Sequence, residues 1–154
     1  MAKKWLQGPP TNKDDRTNAV GLYHYARSYR AAAEALSKQS LESTHPDAPV
    51  EFLFLHAIEL YLKSYLRLAG LSVSQIVSHN LPDLARRFEL FGGFLMDEDK
   101  AVLASVSWGN FIEVRYIRTG FFSKAPIEAL RRTATSLHET VRQEIRGAGL
   151  LCAQ

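Results

Sequence analysis

One cysteine occurs in the 154 residues, Cys152, third from the last position. An internal disulfide framework is thereby excluded, and so is a zinc site built on several cysteines of one chain. Long apolar runs are missing too: no uninterrupted stretch approaches the roughly twenty residues that span a bilayer. Met1-Ala2-Lys3-Lys4 is followed by Trp5-Leu6-Gln7-Gly8-Pro9-Pro10, which lacks the apolar centre of a secretory signal. These absences predict a cytoplasmic protein with no membrane partner. The excess of one charge over the other is small, with 19 Lys and Arg against 16 Asp and Glu. A net +3 permits contact with nucleic acid without arguing for it. There is no HExxH, Walker loop, GxGxxG or GxSxG, and no two histidines have the spacing of a helix-borne metal site. Neither a metal nor a cofactor is expected. Internal repeats and sustained strand alternation are also lacking.

What is present is helical periodicity. Residues 1–16 are polar, hold Pro9, Pro10 and the run Lys13-Asp14-Asp15-Arg16, and read as a flexible N-terminal arm. A first helix is expected from about Asn18 to Gln39, with Leu22, Tyr25, Ala26, Tyr29, Ala33 and Leu36 on one face. His45-Pro46-Asp47 and Pro49 interrupt the pattern. A second helix is expected from about Val50 to Ala69, closed by Gly70, and it is apolar around most of its circumference. So narrow a polar face belongs at the centre of a bundle.

Asn80 reads as the N-cap of a short third helix with Pro82 and Asp83 in its first turn, ended by Gly92-Gly93. Asp97-Glu98-Asp99 opens a fourth helix, expected to run to about Tyr116. Pro126 starts a fifth, with the stripe Ile127, Leu130, Ala134, Leu137, Val141 and Ile145. The fold class is therefore all-α, an antiparallel bundle of four to five helices over residues 17–147, with 148–154 as a tail. Trp108, Tyr116, Phe121 and Phe122 gather aromatic surface near one end, which predicts a homodimer.

The second helix also carries a polar stripe. His56, Glu59, Lys63 and Arg67 lie within a sector of roughly 80° on the helical wheel. Glu59 and Lys63 have the order that favours a four-residue ion pair. Two readings compete: the wet face of an otherwise buried helix, or one wall of a polar pocket. For the pocket, partners are available in His79-Asn80 before the third helix and in Arg115, Tyr116 and Arg118 near the end of the fourth. Each also has a plainer role, since Asn80 suits a cap and the arginines suit the negative end of a helix dipole. His138 borders an apolar stripe and reads as a packing residue with a satisfied ring nitrogen.

The stretch from His56 through Leu66, then Gly70, then Ser78-His79-Asn80-Leu81-Pro82-Asp83-Leu84, with Arg115-Tyr116 later, resembles the HEPN group of helical domains. The similar bacterial proteins carry an A-x-E-L-x-L-K-x-x-L helix, a Gly turn, an H-(D/N)-L-x-x-L segment and a helix ending in R-Y. The resemblance covers roughly residues 18–146. It implies a four- or five-helix bundle, frequent homodimers, and an association with nucleotides or RNA.

HEPN ribonucleases also carry an arginine followed after four to six residues by a histidine. Here the positions after Arg115 and Arg118 run Gly120-Phe121-Phe122-Ser123-Lys124-Ala125, without one. Arg132 and His138 have the right count but lie about 120° apart on one helix, so the match reads as accidental. The leading expectation is a non-catalytic module binding a nucleotide, RNA or protein partner through His56, Glu59, Lys63, His79, Asn80, Arg115, Tyr116 and Arg118. A divergent metal-independent ribonuclease using Arg115 with His79 is the first alternative. A structural adaptor or antitoxin-like protein is the second.

Overall fold

A computed structural model of the chain describes residues 16–106 and 125–150. Among them are five α-helices: α1 Ala19–Ser37, α2 Ala48–Leu68, α3 Leu81–Leu90, α4 Asp97–Ser105 and α5 Ile127–Gly147. One 3-10 turn, Val73–Gln75, lies between α2 and α3. The described residues contain no strand, and no described helix is long and apolar enough to cross a membrane.

Local chemistry sets the ends of these helices. Asn18 accepts from the Gly21 amide at 2.8 Å and Asn80 from the Asp83 amide at 3.0 Å, each meeting a donor that the first turn would leave unpaired. At the end of α2 the Leu71 amide reaches back to the Leu66 carbonyl and the Gly70 amide to that of Arg67, both at 3.0 Å. That closure needs a left-handed residue, and Gly70 supplies it at φ 101°. The same pair of bonds ends α3 at Gly92-Gly93 and α5 at Gly149-Leu150.

Burial ranks the elements. Fourteen of the 21 residues of α2 are buried, and α2 packs against α1, α5 and α3, while α4 packs against α3 and α5. The second helix is the central one, as its apolar circumference requires. Arg131 of α5 ties the flanking helices together, donating to Ser37 Oγ at 2.9 Å, with its Nε 3.2 Å from Glu34 of α1.

Three expectations need correction. Tyr25 is exposed, whereas Tyr23 is 3% exposed and belongs to the core with Ala19, Ala26 and Ala33. The small side chains of Ala26 and Ala33 let α1 lie close on α2, and this rotates the buried face toward Tyr23 by roughly 60°. Helix α2 begins two residues early, because Pro49 sits in its first turn, where a missing N–H costs nothing. Helix α4 ends at Ser105, earlier than expected, where Val106 takes a non-helical φ −87°, ψ 87°; the rest of the expected helix, to Tyr116, lies outside the described residues. The arm before Arg16, the expected aromatic cluster Trp108, Tyr116, Phe121 and Phe122, and residues 151–154 lie outside the described residues.

Candidate functional site

Helix α2 places the polar stripe inside the protein. Glu59 is 2% exposed and Lys63 8%. The Lys63 ammonium donates to Glu59 Oε1 at 2.5 Å, one helical turn away. His79, at the entry to α3, brings its Nδ1 to the same oxygen at 2.9 Å. The Glu59–Lys63 pair is therefore buried, while His56 and Arg67 of the same stripe are partly exposed.

The geometry has a direction. The Glu59 and Lys63 side chains are enclosed, whereas the His79 side chain is 48% exposed. A single carboxylate oxygen thus links the centre of the bundle to its surface through an imidazole. The second oxygen, Oε2, is buried and has no hydrogen-bond partner among the described residues. Leaving a buried acceptor unmatched costs on the order of 1–3 kcal/mol. A buried ion pair is in any case weak support for stability, since desolvation consumes most of its attraction.

Other stripe residues take different partners. Asn80 adjoins His79 and caps α3, and its own amide is held by Ser78 Oγ at 3.1 Å. Arg67 Nε donates to the Thr17 carbonyl at 2.9 Å and its Nη1 to that of Leu71 at 2.7 Å. It fastens the end of α2 to the chain entering α1, a structural task. The His56 ring meets Tyr29 edge-on at 4.4 Å and stacks on Phe52 at 5.9 Å. Arg115, Tyr116 and Arg118 lie outside the described residues.

A second polar cluster was not legible as a group. Tyr61, fully buried on α2, lies 3.0 Å from His138 Nδ1 on α5, and the His138 ring stacks on Tyr23 of α1 at 5.5 Å. Burial, reinforced by the Arg30 charge, holds the His138 imidazole down at about 4. Burial likewise pushes the Tyr61 phenol up to about 12, against the opposing pull of Arg30. The neutral imidazole and the phenol share this hydrogen bond, and the ring tautomer sets which of them donates. A tyrosine amid an apolar helix must find such a partner, and that was the available signal. His138 is a packing residue with a satisfied nitrogen, as expected. Arg132 lies 3.9 Å from Asp99, a buried carboxylate that accepts from Thr133 at 2.7 Å.

Among the described residues, no three of His, Cys, Asp and Glu come together as a metal-binding group. No family model, no curated protein and no solved structure matches this chain.

Proposed function

We propose that this chain is a non-catalytic, HEPN-like binding module whose ligand is a nucleotide or RNA phosphate. The ligand meets the protein where His79 rises from the buried Glu59–Lys63 pair. The observation supporting this reading is that pair, joined through one carboxylate oxygen to a half-exposed imidazole. One feature favours an anion there: His79 stands at the N-terminal end of the ten-residue α3, where unpaired amides and the helix dipole attract negative charge. The order of the HEPN-like segments, His56–Leu66, Gly70 and Ser78–Leu84, supports the same reading.

The absence of cleavage rests on the sequence. Arginine stays protonated and serves as no base at neutral pH, and no histidine follows Arg115 or Arg118 at the spacing of the ribonucleases. The test is titration with adenosine nucleotides and with a mixed single-stranded RNA pool, read by anisotropy and by amide shifts at His79 and Asn80. Binding is expected in the wild type and about tenfold weaker in His79→Ala, a loss near 1.4 kcal/mol, with helicity retained and the RNA intact. Cleavage abolished in both His79→Ala and Arg115→Ala would replace this reading with the divergent ribonuclease. Absence of any binding would leave the protein-partner adaptor.

A further inference from the structure

Four of the six large apolar side chains exposed among the described residues fall within seven consecutive positions, in the turn joining α3 to α4. Leu90, Phe91, Phe94 and Met96 are 69%, 46%, 74% and 54% exposed. The backbone beneath them is held firmly. The Gly93 amide donates to the Phe88 carbonyl at 2.8 Å, and Tyr65 Oη donates to the Phe91 carbonyl at 3.1 Å. Leu95 is 2% exposed and anchors the segment in the core, while its neighbours Phe94 and Met96 face outward. A preformed apolar patch of this kind marks an interaction surface. Its rim is acidic: Asp97 and Glu98 are exposed, and Glu89 faces Lys100 at 2.8 Å. Three acids stand against one base.

We propose that this patch docks the N-terminal segment of the same chain, Trp5 and Leu6 covering Phe91, Phe94 and Met96, with Lys3 and Lys4 set toward Asp97 and Glu98. Two observations select this occupant. The first is where the described chain begins. Thr17 is bonded to Arg67 and Phe91 to Tyr65, and those two residues lie within one turn of α2, so chain entry and patch share one end of the bundle. Ten residues separate Leu6 from Thr17 and reach about 35 Å when extended. Neighbouring helix axes are only about 8–10 Å apart. The second is charge. Lys3-Lys4-Trp5-Leu6 combines two cations with two large apolar side chains and no acid, the complement of an acid-rimmed apolar surface. The nearer run Lys13-Asp14-Asp15-Arg16 is neutral and has no large apolar residue.

The experiment uses the full chain carrying Trp108→Phe, which leaves Trp5 as its one tryptophan of the original two. Emission maximum and acrylamide quenching are recorded across a wide dilution series. Trp5 is expected to be blue-shifted and shielded relative to N-acetyltryptophanamide, independently of protein concentration. Phe94→Ser with Met96→Ser should return both readings to the free-indole values while the circular dichroism spectrum is kept. Asp97→Asn with Glu98→Gln, or added salt, should weaken the shielding. If the serine pair costs helicity, the amide pair decides. A solvated Trp5 in the starting protein overturns the proposal, as does shielding that survives both pairs. Shielding lost on dilution also overturns it, since the occupant would then be a second copy.

Discussion

His138 carries a measurable consequence of burial. Its imidazole is held at about 4 in the folded chain by desolvation and by the Arg30 charge, against an ordinary value near 6.5 once unfolded. The unfolded chain therefore binds the extra proton first as acid is added. Stability contributed by this group is intact above about pH 6.5 and falls as the pH drops toward 4. Urea midpoints measured at intervals from pH 7.5 to 4.5 should show this fall in the wild type. His138→Gln keeps a hydrogen-bonding group for Tyr61 but cannot be protonated, so its profile should be flatter over that window. Equal slopes in the two proteins would mean that His138 is not shielded as described. Glu59 presents a different case. One oxygen receives both Lys63 and His79, while the other is enclosed with no hydrogen-bond partner among the described residues.

Helix α2 does most of the packing. Leu62 is fully buried at its middle, among side chains from the flanking helices. Leu62→Ala should lower the unfolding free energy by about 2–5 kcal/mol in urea melts, the lost transfer energy plus the cavity left behind. A loss under about half a kcal/mol would place the residue at the surface, where substitutions have effects of that size. The α3–α4 turn depends on a different constraint. A Cβ added at Gly93 would overlap the Phe88 ring, so the tight turn that exposes Phe94 and Met96 is bound to the core residue beneath it. The apolar patch is thus a property of the turn's geometry and not of a loose loop.

The connections among helices predict how the molecule unfolds. Helix α2 packs on α1, α3 and α5, and α4 is held through α3 and α5. No described helix has a core of its own. Loss of α2 removes the partner shared by α1, α3 and α5, so unfolding should be a single cooperative event. Circular dichroism and near-ultraviolet absorbance of the buried tyrosines should give coincident urea transitions. A separate early transition for α4 would show that the short Asp97–Ser105 helix is only loosely coupled to the rest.

Much of this architecture could be read from residue order. Helix positions follow from apolar periodicity, and their ends from Asn18, Asn80, Gly70 and Gly92-Gly93, because caps are local interactions among residues a few positions apart. The central place of α2 follows from composition, since a helix with so little polar surface has no stable position at the edge. Legibility ended where the outcome depended on which helix lies opposite. Periodicity put Tyr25 inward and left Tyr23 out, and only the approach of α2 onto Ala26 and Ala33 rotated that face. The spacing of Glu59 and Lys63 allowed either a solvated pair or a buried one. Burial was decided by the helices packed around α2, and the link to His79 by the return of the chain through residues 69–80 to the middle of the same helix. Such contacts join residues twenty or more positions apart, and no local pattern encodes them.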